Sequence, residues 1–354
     1  MKKVALTAVA ILILLVAAAA VYFWYRSSQP LYKPGMVSAA ENLRGPLTPP
    51  AQTGDAEFWQ VEEDIQLHHF AAGNGRNILI IHGGPGQPFT QPLPGLEPLT
   101  NEYQFHYYDQ RGSGQSSRPI DTFSSNNYYE NMTVLDQTLG LGAQIADIER
   151  IRQILGEEQL IIIGHSFGGF LASLYAAEFP QHVESLILIA PADVLVMPQE
   201  SGGLFEEVRR KLPENMQAEY DAYLDEYLDF GNIFNKSEAD LVQLNNQFAQ
   251  YYEAVADVPA LDQEQGKAGG WMTMAIYFSI GSRHDFRDAL QVVDAPVLIV
   301  HGANDIQTEA ASRIYVDAFA NADFQIIEDA GHFSFVEQPE ALATAVTDFL
   351  AQTK

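Results

Sequence analysis

The sequence predicts an α/β architecture: a mostly parallel, eight-stranded-type sheet flanked by helices, with a helical cap inserted into it and a transmembrane anchor in front. Three observations carry that expectation. Short, β-branched apolar runs such as Asn77 to Ile81, Leu160 to Ile163, Val183 to Ile189 and Ala295 to Val300 read as strands buried on both faces. Helical periods separate them, as in Ile145 to Leu155 with apolar residues at 145, 148, 151, 154 and 155. Between roughly 193 and 290 the alternation stops and helical patterns alone continue.

Taken in order, Met1-Lys2-Lys3 precedes an apolar run from Val4 to Tyr25. A bilayer needs roughly twenty such residues, and Tyr22 to Tyr25 fall where an interfacial aromatic belt sits. Residues 1–27 are therefore expected to be a signal anchor, with the N-terminus inside and the catalytic part outside the cytoplasmic membrane. The rival is signal cleavage near Ala17 to Ala20, giving a secreted or periplasmic protein. Residues 28–56, rich in Pro, Gly, Ser and Thr, read as a linker. The α/β core is expected over 57–192 and 292–354, and the cap over 193–291. Phe58 to Glu62 and Ile65 to Phe70 form a hairpin at the sheet edge. Tyr103 to Tyr108 and Phe324 to Ile327 are further strands, and a last helix begins near Pro339. Leu204 to Leu212, Met216 to Phe230 and Ser237 to Ala256 supply the helices of the cap.

The chain has no cysteine, which excludes disulfides and thiolate metal sites. Its net charge of −27 argues against nucleic acid and against electrostatic binding to anionic membrane surfaces.

The chemistry starts at Gly164-His165-Ser166-Phe167-Gly168, which ends a strand and opens a helix. Such a turn lifts its serine above the sheet at a helix N-terminus, where developing negative charge is favoured. A serine needs a base, and the base an orienting acid. Two later strands end in Asn304-Asp305 and in Gly331-His332, an acid and a histidine in the chain order this architecture uses. Ser166 is the expected nucleophile, His332 the general base and then acid, and Asp305 the orienter. A tetrahedral oxyanion also needs two N–H donors. The expected ones are Phe167, directly after the nucleophile, and Gly84 in His82-Gly83-Gly84-Pro85-Gly86, with Gly83 second.

With these residues placed, the chain resembles the α/β-hydrolase superfamily, and within it the proline iminopeptidase group of serine peptidases. The resemblance rests on His82 to Gly86, Asp109-Gln110-Arg111-Gly112-Ser113-Gly114, Ala146 to Arg152 and Gly331-His332-Phe333. It implies the α/β-hydrolase fold and release of an N-terminal residue, often proline, from a peptide. It also implies recognition of the substrate's free amine by paired cap glutamates. Glu253, after Tyr251-Tyr252, is the candidate for the first, and Trp271 to Phe278, where the second is sought, contains no acid. Glu206 and Glu207 are other cap acids. The elbow here carries His165 and Phe167 where the group usually has Gly and Trp, and Gln115 stands where a basic residue is common.

The leading expectation is thus a serine hydrolase of the aminopeptidase type, acting on a peptide or small acyl substrate without metal or organic cofactor. The alternative is a carboxylesterase or lipase-like enzyme with the same triad. A non-catalytic scaffold is the reading from another class, and a complete triad with its oxyanion loop argues against it. Oligomeric state is left open. His68-His69 is expected to be a strand-edge pair rather than a metal site, His301 to support the Asp305 loop, and His165 to pack beneath the elbow. Arg111 is expected to be an ion-pair partner. Gly73-x-Gly75 and Gly140-x-Gly142 do not complete a dinucleotide fingerprint, and Asn131-Met132-Thr133 is a short glycosylation match.

Overall fold

The computed structural model describes Tyr25 and residues 28–199, 203–256 and 268–353. The expected anchor, up to Trp24, lies outside the described residues. Among those described, no helix is long and apolar enough to cross a membrane.

Eight strands form one sheet: β1 (Phe58–Glu62), β2 (Ile65–Gly73), β3 (Arg76–Ile81), β4 (Tyr103–Tyr108), β5 (Leu160–His165), β6 (Val183–Ile189), β9 (Val297–Gly302) and β10 (Ala322–Ile327). A separate two-residue pair, β7 (Val196–Met197) and β8 (His284–Asp285), lies between β6 and β9 in sequence. The order across the sheet is β1-β2-β4-β3-β5-β6-β9-β10, antiparallel only where β2 meets β1 and β4. Both faces are covered, which is why the central strands β3, β5, β6 and β9 are apolar over most of their length. Ile78 and Ile80 of β3 pack on one face with Leu342 and Phe349, while Leu79 and Ile81 pack on the other with Ile148 and Phe170. The covering helices are α1 (Tyr128–Leu139), α2 (Leu141–Leu155), α3 (Phe167–Glu178), α8 (Arg287–Leu290), α9 (Glu309–Ala318), α10 (Ser334–Glu337) and α11 (Pro339–Gln352).

Between β6 and β9 run α4 (Gly203–Lys211), α5 (Glu214–Tyr227), α6 (Glu238–Glu253) and α7 (Trp271–Ile280). They pack around a second core, built on Tyr220, Tyr223, Leu241, Tyr251 and Trp271 and shared with Leu135 and Leu139 of α1. A capping box closes the start of α6, with Ser237 and Asp240 satisfying each other's backbone N–H groups.

One expectation needs correcting. Part of the segment read as a linker is docked on the core. Tyr32 and Val37 are buried in it, and the Glu178 carboxylate accepts hydrogen bonds from the Tyr32 hydroxyl (2.9 Å), the Gly35 N–H (2.8 Å) and the Ser38 N–H (2.9 Å). Composition signalled turns, but these bonds come from a residue far away in sequence.

Strand order reverses around β3: β4 lies on one side and β5 on the other. Ligands bind beyond the strand ends at such a switch point. Ile81 is in register with Gly164, so the loop after β3 and the turn after β5 lie side by side.

Candidate active site

Ser166 sits in that turn at φ 53°, ψ −121°, a backbone conformation rare for a residue with a side chain. The surrounding backbone holds it there. The Ser166 N–H donates to the Ile189 carbonyl (2.9 Å), and the Ser166 carbonyl accepts from Ala192 N–H (3.0 Å). Both flanking glycines are required for space. A Cβ on Gly164 would lie 2.4 Å from the Gly168 carbonyl oxygen, and one on Gly168 would lie 2.1 Å from that of Ile81.

His332 follows β10 and Asp305 follows β9. The Asp305 Oδ2 lies 2.8 Å from His332 Nδ1, and the aspartate side chain is fully buried. The other oxygen, Oδ1, accepts the Gln307 N–H at 2.9 Å. The two loops can approach because Gly302 has no side chain: a Cβ there would fall 2.0 Å from the Gly331 carbonyl oxygen. Glu337 fixes the His332 loop from behind, accepting the Gly331 N–H (2.6 Å) and the Phe333 N–H (3.0 Å). With Nδ1 on Asp305, Nε2 is the nitrogen left for the substrate side. His332 and Ser166 line the same cavity.

His165 is buried, and burial, reinforced by His332 nearby, holds its imidazole well below the usual range. It is neutral, and its Nε2–H donates to the His332 carbonyl at 2.9 Å. The residue expected only to pack beneath the elbow thus ties the nucleophile turn to the histidine loop. His301 pairs with Ser312 Oγ at 3.0 Å.

Phe167 opens α3, and the first N–H groups of a helix have no intrahelical partner. Gly84 lies opposite, at φ 113°. The preceding peptide is held by its carbonyl: Gly83 O accepts the Gln87 N–H (3.1 Å) and faces His82 Nδ1 (2.9 Å). His82 Nε2 accepts the Gln110 N–H (3.1 Å), which leaves the proton on Nδ1 to donate to Gly83. Burial pushes the His82 imidazole down to about 4, so it stays neutral. In a trans peptide the N–H points away from the carbonyl, so anchoring Gly83 O directs Gly84 N–H to the other side. The supporting roles of His82, Gln110, Gln307 and Glu337 were not read from the sequence. The first two lie inside recognisable motifs, whereas Gln307 and Glu337 carry no local signal.

Gly83 itself lies against Ser166: a Cβ there would lie 2.8 Å from Ser166 Cβ. Gly83→Ala is expected to displace Ser166 and lower kcat about 100-fold, since small misplacements cost that much. An unchanged circular dichroism spectrum with near-native kcat would refute this placement.

The cavity has a volume of about 440 Å³ and lies between the sheet's loops and the helical insertion. Phe89, Phe205, Tyr227, Phe248, Tyr252 and Tyr277 give it aromatic walls. Glu253 lines it and is solvent-exposed; it is the one acid among the described lining residues. Glu206 and Glu207 are not in the lining, and Glu207 pairs with Arg210. Arg111 is fully buried in an ion network with Asp147 (2.6 Å) and Glu62 (2.8 Å), away from the cavity lining. His68 faces Asp109 at 3.1 Å, and His69 stacks on Trp59 at 3.8 Å.

Residues 76–339 match the family model described as alpha/beta hydrolase fold. A proline iminopeptidase from Heyndrickxia coagulans is 25% identical over 295 residues, covering 78% of this chain and 91% of the relative. Among solved structures, a proline iminopeptidase from Mycobacterium smegmatis superposes with a TM-score of 0.56 at 19% identity, covering 82% of this chain and 96% of its own. An esterase from Exiguobacterium antarcticum superposes with a TM-score of 0.58 at 18% identity, covering 84% of this chain and all of its own.

Proposed function

The chain belongs to the alpha/beta hydrolase fold family, and within it we propose a serine hydrolase of the proline iminopeptidase kind, releasing an N-terminal residue from peptides through an acyl-enzyme. The observation that carries the hydrolytic part is the convergence on one cavity of Ser166, strained at its elbow, and His332, held by a buried Asp305. Ser166 Oγ attacks the scissile carbonyl while His332 Nε2 takes its proton. The N–H groups of Phe167 and Gly84 receive the oxyanion. His332 then protonates the leaving amine, and water activated by the same nitrogen releases the acyl group. The peptidase part is supported by the likeness to proline iminopeptidases across most of the chain.

A second reading, an esterase of small acyl esters, is favoured by the cavity itself. A substrate ammonium needs carboxylates around it, and Glu253 is the one acid among the described lining residues. The readings separate in one experiment on the full-length protein: prolyl and alanyl arylamides, their N-acetylated forms, and p-nitrophenyl esters. The peptidase reading expects free-amine arylamides to be cleaved and their acetylated forms spared. Ester turnover without arylamide cleavage sinks it in favour of the esterase.

We also infer that the Val4 to Tyr25 run tethers the enzyme to the cytoplasmic membrane with its catalytic part outside. The support is the length and flanking residues of that run. Recovery of the untagged protein in the soluble fraction would refute it.

A further inference from the structure

The cavity is larger and more apolar than a prolyl ring or an acetyl group requires. About 150 Å³ of apolar space suffices to bind benzene, and this cavity has about 440 Å³. Its walls are rings that brace one another. Phe205 meets Phe248 edge-on at 5.3 Å and Tyr227 at 6.0 Å, and Tyr227 meets Tyr277 edge-on at 6.1 Å. Edge-to-face geometry of this kind receives another ring favourably. The aromatic wall also reaches the reacting centre, because Tyr252 lies edge-on to His332 at 6.1 Å.

Part of the wall's polar surface is tied up internally, around Tyr227, Asn245 and Thr273. The buried Tyr252 hydroxyl has no hydrogen-bond partner among the described residues and is the neutral polar group left to face a ligand. The Tyr227 hydroxyl donates to Asn245 Oδ1 (2.7 Å), and Asn245 Nδ2 donates to the Gly269 carbonyl and lies 3.2 Å from Thr273 Oγ1. Thr273 Oγ1 reaches the Pro85 carbonyl at 3.4 Å. A charged group buried here would find no compensating partner in this set, and the lining acid, Glu253, faces solvent.

We propose that, on the esterase reading, this cavity is an acyl subsite for a bulky, uncharged, ring-bearing group, so that the substrate class is arylalkanoyl rather than short-chain acyl. The chemistry rests on that esterase reading, whereas the binding geometry does not. The test therefore has two arms. The wild-type enzyme is assayed with p-nitrophenyl 3-phenylpropionate and p-nitrophenyl acetate, each corrected for its hydroxide rate. The expected kcat/KM ratio is at least about 10-fold in favour of the ring. In the second arm, calorimetry on Ser166→Ala compares 3-phenylpropanamide with propanamide, and tighter binding of the former by at least about 10-fold is expected from burial of the ring. Ala249→Trp, which fills the cavity from α6, is expected to remove most of both preferences. Equal binding of the two amides overturns the subsite whatever the kinetics. Ring-selective binding without turnover of either ester keeps the subsite and overturns the esterase reading.

Discussion

Ser166→Ala is expected to lower kcat for any accepted ester or amide by about 10⁴- to 10⁶-fold, the range found when a triad nucleophile is removed. The cause is chemical rather than structural. Ser166 occupies φ 53°, and the steric cost of that conformation comes from its Cβ, which alanine keeps. The backbone bonds to the Ile189 carbonyl and from the Ala192 N–H involve main-chain atoms and survive the change. The thermal midpoint is therefore expected to stay within a few degrees, while reaction with a fluorophosphonate disappears. Ser173 is a suitable comparison: its hydroxyl donates to the Gly169 carbonyl inside α3, and it lies outside the cavity lining. Ser173→Ala is expected to retain labelling. If Ser166→Ala kept more than a hundredth of the activity, the nucleophile would have to be sought elsewhere, and the scaffold reading would return if the wild type itself were unlabelled.

The elbow was legible because its constraints are local. Gly164 and Gly168 are spaced by a turn that admits no Cβ, and the strand before and helix after them have opposite periods. The buried strands were legible for a similar reason: β1 and β6 have the bounds their apolar runs suggest. Other elements hid behind long-range contacts. The helix α1 went unread because its buried face includes Asn131, Asp136 and Thr138, which break the apolar period. Asp136 is buried against Ser279 Oγ (2.5 Å) and Asn42 Nδ2 (2.7 Å), partners that no window around it contains. The docking of Tyr32 and Val37 was invisible for the same reason.

The site divides along the same line. Ser166, Asp305 and His332 each stand just past a strand end, where residue type and order already suggest chemistry. What holds them does not announce itself: Glu337 is an ordinary helical glutamate until its carboxylate is seen to gather the N–H groups on either side of His332. The stretch Trp271 to Phe278, in which a second amine-binding acid was sought, contributes Thr273 and Tyr277 to the cavity lining, both uncharged. That uncharged surface is what moves the substrate question from charge to shape.

Asp305→Asn is expected to cost about 10⁴-fold in kcat, the loss attached to the wrong histidine tautomer. On the proposed mechanism the wild-type carboxylate accepts from Nδ1–H and leaves Nε2 bare to take the Ser166 proton. Asparagine is close to isosteric, and the Gln307 N–H can still find an oxygen at that site, so the loop geometry is retained. The new amide, however, is free to present N–H groups to Nδ1. This chain has a second amide at the same nitrogen, since Gln307 Nε2 lies 3.3 Å from His332 Nδ1 and is held there by its Oε1, which accepts the Asp193 N–H at 2.9 Å. With no acceptor left facing Nδ1, the proton moves to Nε2 and the ring can no longer act as a base. Gln307→Ala, which leaves the carboxylate in place, is expected to lose no more than about 10-fold. The measurement is kcat together with the fluorophosphonate reaction rate, because both need the base while only kcat needs the later proton return. A loss under 10-fold in Asp305→Asn would show that another acid orients His332. A loss confined to KM would show that the pair serves binding rather than proton transfer.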